Sequence, residues 1–319
     1  MMNLQTLLAS RPWRAPQGMP DWMMGFWKRY SISFADGRSD LKTHVCWLQS
    51  RNFTIDLRLP QLSDQVIHKK AWAEYSAAEL AVLADYEGWL APSSWDGRIL
   101  QWHAAEASLQ RHNRWPEPAQ LQRIGNCMME FCPSNAYVED WRLQASVPGP
   151  LIGLRLLEER SLATAQRRHR GGGLIVCGDY AALVLGRAHS VDSTQPLKPE
   201  VLAAVGQQDK LAALLDFETS VAKGSLSRGY EVILSSRPGR MGQALLSLEG
   251  FAFGPDQADG TPSLVQRFAD EHGEWERVFV VDTLETRLAF SPTTPWQAEA
   301  QAWYSQEAAT LGRYLQQLY

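Results

Sequence analysis

Two short stretches of the sequence place an acid and a base two residues apart. They are Asp56 with Arg58 in FTIDLRL, and Asp140 with Arg142 in YVEDWRL. Because side chains two residues apart in a β-strand share a face, each stretch predicts a carboxylate beside a guanidinium. Such pairs form a charge network or hold a polar ligand when they face a barrel interior, and are weak surface ion pairs when they face water. The sequence leaves both orientations open.

A second set of residues has the chemistry of proton transfer. His103 in WHAAE would share a strand face with Gln101 and could meet Glu130 of IGNCMMEFC across a sheet. A histidine beside a glutamate suits general acid-base catalysis near neutral pH. A histidine with only structural hydrogen bonds is the alternative.

Tryptophan is concentrated in the first half of the chain, where ten of the thirteen lie at or before Trp141. An indole combines a large apolar area with one N–H donor, so it can pave a barrel or stack on a flat ligand, although core packing explains the bias as well. We expect the first half to hold a binding site in which His103 and Glu130 are the candidate catalytic groups. The candidate lining residues are Trp47, Asp56, Arg58, Trp102, His103, Glu130, Tyr137, Asp140, Trp141 and Arg142.

These residues lie in short segments whose polar and apolar side chains alternate, a pattern typical of antiparallel strands. Asp-Gly dipeptides at 36–37 and 96–97 and a Gly-Asp dipeptide at 178–179 predict tight hairpin turns. One helix is predicted between strands at SAAELAVL, where Ser76 and Glu79 have capping-box spacing. The order of strands and helical segments starts again after RRHRGGG, which favours a duplicated β-unit over coincidence.

The final segment, TPWQAEAQAWYSQEAATLGRYLQQLY, predicts an amphipathic helix that packs on a barrel wall. Its apolar stripe would consist of Trp303, Leu311, Tyr314, Leu315 and Leu318.

Bulk properties exclude several classes of protein. The chain has 319 residues and a net charge of -4, without the basic surface expected of a nucleic-acid-binding protein. No stretch approaches the roughly 18 apolar residues of a membrane span, and the N-terminus has no secretory signal pattern. Four widely spaced cysteines fit neither a zinc site nor a disulfide framework, so we expect reduced thiols, no metal and a cytoplasmic protein. Motifs of nucleotide-binding loops, serine hydrolases and zinc proteases are absent, and no cofactor is expected.

The strand-rich layout, together with WLQSRNFTIDLRLP and YVEDWRL, resembles the calycin superfamily, in particular double lipocalin-like proteins of unknown function from fungi and bacteria. The resemblance implies two antiparallel lipocalin-like β-barrels in tandem, with short helices and a C-terminal helix. We expect one barrel over residues 1–160 and the other over residues 171–319. A barrel of this kind can enclose one small ligand.

The leading functional hypothesis is therefore binding of a small hydrophobic or aromatic ligand in the first barrel, with no nucleic-acid or membrane partner. One alternative is an enzyme on the same scaffold, an isomerase, cyclase or hydratase of a small biosynthetic intermediate. The other is a protein-interaction scaffold with filled barrels, which an exposed apolar patch would favour.

Overall fold

The computed structural model describes residues 1–110, 117–191 and 196–314. The protein is mostly β, as the sequence predicts, with 44% of residues in strands and 17% in helices. The strands are β1 (Trp13–Arg14), β2 (Gly25–Phe34), β3 (Ser39–Asp40), β4 (His44–Gln49), β5 (Phe53–Leu59), β6 (Glu87–Trp95), β7 (Ile99–Trp102), β8 (Ala107–Ser108), β9 (Ala119–Ile124), β10 (Cys127–Phe131), β11 (Tyr137–Leu143), β12 (Gly149–Ser161), β13 (Arg167–Arg170), β14 (Gly172–Cys177), β15 (Tyr180–Leu185), β16 (Glu218–Ser225), β17 (Gly229–Ser235), β18 (Phe251–Phe253), β19 (Ser263–Asp270) and β20 (Gly273–Leu288). The α-helices are α1 (Leu4–Ser10), α2 (Ala77–Leu83), α3 (Leu197–Ala203), α4 (Gln208–Leu215) and α5 (Ala298–Leu311).

The first half folds into a closed antiparallel barrel of eight strands. Its order is β2-β4-β5-β6-β7-β9-β10-β11, and β11 returns to pair with β2 from Tyr137 opposite Phe34 to Leu143 opposite Trp27. The predicted Asp-Gly turns lie between β2 and β3 and between β6 and β7. In the first of these, Gly37 has the positive φ that such turns favour. Closure removes exposed sheet edges and leaves an interior face on every strand.

The second half forms an antiparallel sheet with the same succession of strands. Its main path runs β17-β16-β15-β14-β12-β20-β19-β18, so β12 takes the place of β2, and β20 pairs with it as β11 pairs with β2. The helices α3 and α4 lie between β15 and β16, just as α2 lies between β5 and β6. The predicted fold class, mostly β with two antiparallel units and short helices, is confirmed. Of the two barrels expected, the described strands show closure for the first, and the second unit is an antiparallel sheet.

The two units pack together through corresponding faces. Cys46, Ile55 and Leu90 of β4 to β6 share one buried core with Ile175 and Val184 of β14 and β15. Gly88 allows a close approach, because a Cβ added there would lie 2.8 Å from the Cβ of Thr219 in β16. The apolar face of β5 is therefore buried outside the barrel, against the second unit.

The first residues of the chain belong to the second unit. β1 pairs with β20, with Trp13 opposite Leu284, and α1 inserts Leu4, Leu7 and Leu8 into the apolar core on the far face of the second sheet. β12, which ends at Ser161, also pairs within this sheet. The division at residues 160 and 171 stays a prediction, since strand pairing alone does not define independent domains.

The predicted capping box of α2 is present. Ser76 Oγ accepts a hydrogen bond from the backbone N–H of Glu79 at 3.2 Å, and the Glu79 carboxylate accepts one from the backbone N–H of Ser76 at 2.9 Å. The segment between β5 and β6, which contains α2, lies over one end of the barrel and supplies Pro60, Val82 and Tyr86 to a cavity there.

The C-terminal helix α5 forms, but its predicted packing on a barrel wall is wrong. None of the side chains from Ala298 to Leu311 is buried. Its aromatic side chains Trp303 and Tyr304 instead border an open cleft of about 860 Å³. Leu315 and Leu318 of the predicted stripe lie outside the described residues. Among the helices that the structure describes, none is long and apolar enough to cross a membrane.

Candidate functional site: the charged interior of the first barrel

Strand β5 turns its polar face into the barrel, because the second unit covers its apolar face. Thr54, Asp56 and Arg58 line the interior, and Asp56 lies opposite Trp47 and Trp89 on the neighbouring strands. Arg58 Nε donates a hydrogen bond to Asp56 Oδ1 at 2.9 Å. The Asp56 side chain is buried and that of Arg58 nearly so. The side chains of this first acid-base pair therefore face the barrel interior, as a ligand site there requires.

The second acid-base pair lies on the opposite surface. Strand β11 directs Tyr137, Glu139 and Trp141 inward, which leaves Asp140 and Arg142 on the outside of the barrel. Arg142 donates to both Asp140 oxygens, at 2.8 and 2.7 Å, and its side chain is 36% exposed. The structure therefore does not place Asp140 or Arg142 in the barrel interior.

A cluster of indoles fills the interior below the acid-base pair. The Trp47 ring lies 5.5 Å from that of Trp141 and 6.1 Å from that of Trp102, and Trp89 lies 6.4 Å from Trp102. Three of these are the tryptophans predicted to line the site. The cavity that remains among them measures about 10 Å³, roughly the room that one water needs.

Two of these indoles contribute donors without acceptors. The Nε1–H groups of Trp89 and Trp102 are buried and have no hydrogen-bond partner among the described residues. By contrast, Trp141 Nε1 donates to Glu130 Oε2 at 3.0 Å, and Trp47 Nε1 donates to Gln49. Because a buried donor without a partner is costly, the small cavity is suited to a water or another acceptor.

Glu130 and Glu139 form a pair of carboxyl groups across β10 and β11. They lie directly opposite in register, and both are buried, at 2% and 3% exposure. Arg29 Nη1 donates to Glu139 Oε1 at 2.8 Å, and its Nη2 donates to Asp40 at 2.6 Å. The interior thus holds three carboxyl groups, those of Asp56, Glu130 and Glu139, and the guanidinium groups of Arg29 and Arg58.

Burial and the shortage of cations control protonation in this cluster. Burial, and then the Glu139 carboxylate, raise the pKa of Glu130 well above its ordinary value, and Arg58 offsets this only in part. Burial also raises the pKa of Asp56, against the attraction of Arg58. For Arg58 burial acts to lower the pKa, but Asp56 and Glu139 outweigh it and raise the pKa overall. Of these carboxyl groups, Glu130 therefore has the strongest tendency to keep its proton.

Arg29 is a site residue that the sequence analysis missed. The pairing of β2 with β11 shifts register between Asp140 and Trp141, and this β-bulge skips one residue of β2. Arg29 and Ile32, three residues apart, consequently both reach the inside of the barrel. No local pattern in the sequence marks such a bulge.

The predicted acid-base pair of His103 and Glu130 is not brought together. His103 is exposed, and its Nε2 lies 2.9 Å from Ser94 Oγ, whereas Glu130 is enclosed in the barrel. His103 follows directly after Trp102, whose side chain points inward, so the histidine ring points away from the interior.

The end of the barrel beneath α2 opens into a cavity of about 450 Å³, which we call the mouth cavity. Arg58 borders both this cavity and the small cavity among the indoles. The mouth cavity is lined by Arg29, Ile32, Phe34, Asp40, Thr43, Arg58, Leu59, Pro60, Asp64, Val82, Asp85, Tyr86 and Glu87.

The described residues contain no group of three or more histidine, cysteine, aspartate or glutamate side chains arranged to hold a metal ion. Comparison of the chain with protein-family models, curated proteins and solved structures finds no match.

Proposed function

We propose that the first barrel binds a small, partly apolar molecule in the mouth cavity. The observation that carries this proposal is the lining of that cavity, which combines apolar side chains such as Ile32, Phe34 and Val82 with charged ones that include Arg29 and Arg58. Pockets that combine apolar walls with a few convergent polar groups are typical of small-molecule sites.

The composition of the interior supports binding over a purely structural role. Buried ion pairs such as Asp56 with Arg58 contribute little net stability, and replacement by well-packed apolar residues is often neutral or stabilising. The second unit shows that this strand order is compatible with an aliphatic core, formed by residues such as Leu154, Leu174 and Leu183. Contact with a polar ligand would explain why the interior of the first barrel is charged.

The resemblance to calycins becomes part of the same proposal. A closed eight-stranded antiparallel barrel with a helical segment over one end supports it at the level of architecture.

All four cysteines are free, and burial raises the pKa of Cys46 and Cys177 to about 12, which makes their thiols poorly reactive. This cysteine usage supports a reducing, cytoplasmic setting. The net charge of -4 supports a small-molecule partner rather than a nucleic acid.

Ligand binding can be tested with a substitution that fills the mouth cavity. Native mass spectrometry and thermal unfolding with a panel of small metabolites should identify ligands that bind the wild type, with a change in emission from the indole cluster. Val82→Trp places an indole in the cavity wall and should abolish these effects. Ile233→Trp, at an exposed position of β17, is the matched control. Ligands that bind Val82→Trp as well as the wild type would exclude the mouth cavity as their site.

Catalysis on the same scaffold is a second candidate, and Glu130 is the residue that favours it. A buried carboxyl group whose pKa is raised well above its ordinary value, as that of Glu130 is, can serve as a general acid. The cavity beside it has room for only about one water, however, so a molecule in the mouth cavity would meet Arg29 and Arg58 before Glu130. We therefore place binding ahead of catalysis. Turnover of a bound ligand that Glu130→Gln abolishes, with affinity retained, would reverse this order.

An interaction scaffold is the third candidate, and the open cleft beside α5 favours it. Ile124, Trp296 and Trp303 are exposed around this cleft, at 71%, 54% and 56%. Contiguous exposed apolar side chains are typical of contact surfaces. Replacement of Trp296 and Trp303 by Gln should abolish a protein interaction made here and leave small-molecule binding to the barrel unchanged.

A further inference from the structure

The mouth cavity combines apolar and charged side chains. Phe34 at the end of β2, Leu59 at the end of β5 and Val82 of α2 supply apolar walls, and Asp64 and Asp85 line it as well. Arg29 and Arg58 also line it, and Arg58 borders the small cavity among the indoles too. A ligand whose polar end contacts these two guanidinium groups therefore has that end toward the indole cluster.

The charges that a ligand would meet at these two guanidinium groups are already compensated. Arg29 binds Glu139 and Asp40, and Arg58 binds Asp56. Elsewhere in the lining, Asp85 pairs with Lys198, and Asp64 accepts hydrogen bonds from Gln61 and Ser63.

A ligand with a net charge would disturb this balance. Arg29, Asp40 and Arg58 already have ion-pair partners, so an ammonium or a carboxylate placed among them would bring a charge without a partner of its own. A buried charge without a compensating partner is strongly unfavourable. A neutral group that both donates and accepts hydrogen bonds meets no such penalty and can contact either partner of an ion pair.

The small cavity below the guanidinium of Arg58 also favours a neutral hydrogen-bonding group. Trp89 is 8% exposed, and its N–H, like that of Trp102, lacks an acceptor among the described residues. One water in the cavity of about 10 Å³ would accept from these indoles and could pass a hydrogen bond towards the mouth cavity.

We propose that the ligand of the first barrel is a neutral amphipathic molecule whose hydroxyl or amide end enters first and contacts Arg29 and Arg58. Its apolar body then lies between Phe34, Leu59 and Val82. This inference rests on the proposed function, and it specifies the chemical class and orientation of the ligand.

Five probes with one hydrocarbon body test the class directly: cyclohexylmethanol, cyclohexanecarboxamide, cyclohexanecarboxylate, cyclohexylmethylammonium and methylcyclohexane. Titration calorimetry and indole fluorescence at pH 7 give their affinities for the full chain. We expect the alcohol and the amide to bind about tenfold or more tightly than the two ions and the hydrocarbon. Tighter binding of either ion overturns the class, and equal binding of methylcyclohexane overturns the orientation.

A pair of matched double variants tests the contact with Arg58. Asp56→Asn with Arg58→Gln removes an ion pair without changing net charge, and should weaken the alcohol and amide about tenfold while methylcyclohexane is unaffected. Asp140→Asn with Arg142→Gln makes the same change on the outer face and should alter none of the affinities. Near-UV circular dichroism verifies that both variants are folded, and the wild-type series decides the question alone if the inner variant is not.

Failure of this inference is distinguishable from failure of the proposed function. If none of the five probes binds but ligands from the metabolite panel bind in a manner that Val82→Trp abolishes, the ligand class is wrong and the binding function stands. If no ligand of any class is sensitive to Val82→Trp, both proposals fail.

Discussion

The two β units of this protein share a succession of strands but differ in what fills them. In the first barrel the interior holds indoles, two guanidiniums and three carboxyl groups. In the second sheet the corresponding face is richer in aliphatic side chains, and α1 contributes three leucines to it. Buried charged groups occur there too, in the pairs of Glu159 with Arg277 and of Glu218 with Arg240. The strand order therefore does not determine which side chains fill the interior. The polarity of the first barrel's interior depends on the residues of its own strands.

The two Asp-x-Arg motifs provide the same comparison within a single barrel. Both pairs join Nε of the arginine to Oδ1 of the aspartate two residues before it, at 2.9 Å in β5 and 2.8 Å in β11. They differ in the surface opposite to them, because β5 packs its apolar face on the second unit. Packing on the outside of a barrel thus determines which polar side chains face its interior.

The largest expected effect distinguishes these two motifs. Arg58→Met leaves Asp56 buried without its cation and should lower the free energy of unfolding by about 3 to 5 kcal/mol. Arg142→Met removes the exposed partner of Asp140 and should cost about 0 to 1 kcal/mol. Urea unfolding measures both, and equal costs would contradict the assignment of inner and outer faces.

A second prediction concerns the aliphatic interior of the second unit. Leu183→Ala creates a cavity there and should lower the free energy of unfolding by about 3 kcal/mol. Because this position lies on the face away from the first barrel, affinities measured for ligands of the mouth cavity should not change. A variant that is folded but has lost ligand binding would show that the two interiors are coupled.

A third prediction uses the pH dependence of stability to detect the proton of Glu130. Because the pKa of Glu130 is raised in the folded state, the unfolded state releases this proton first as pH rises above about 4.5. The wild type should therefore lose stability relative to Glu130→Gln with rising pH, by at most about 1.4 kcal/mol per pH unit, until the folded group ionises. Urea unfolding from pH 5 to 8 measures the difference, with the exposed Glu299→Gln as control. A difference that is constant over this range would mean that Glu130 is ionised in the folded protein.

The smallest expected effect is at His103. Since the ring is exposed and lies outside the barrel, His103→Ala should change stability by less than about 0.5 kcal/mol and leave ligand affinity unchanged. Calorimetry of the variant with a ligand of the mouth cavity measures this. A large loss of affinity would place a binding site on the outer surface near Ser94.

Local signals in the sequence predict the strands, turns and capped helix correctly. Alternation in FTIDLRL separates its two faces, Asp-Gly dipeptides mark two hairpin turns, and Ser76 with Glu79 marks the start of α2. The repetition of the strand pattern also follows from these signals, whereas closure into a barrel is what the resemblance to calycins implies. The association of Trp47, Trp102 and Trp141 follows from the concentration of tryptophan in one barrel.

Features that depend on contacts between distant segments could not be predicted. The orientation of Asp56 depends on the second unit, which covers the other face of β5. The inclusion of Arg29 depends on a β-bulge and on Glu139, 110 residues away. Helix α5 has a stripe of aromatic residues, but a stripe does not specify which surface it contacts.

The pairing of β1 with β20 has a consequence for attempts to divide this protein. A cut before Gly149 would leave the later fragment without α1, so that the site of Leu4, Leu7 and Leu8 would be open to water. An autonomous fragment of the second unit would have to be circularly permuted, with residues 1–14 attached after β20 through a short peptide bridge. The later half of the chain is therefore incomplete without the leading segment, and an exchange of that half between proteins would have to include residues 1–14.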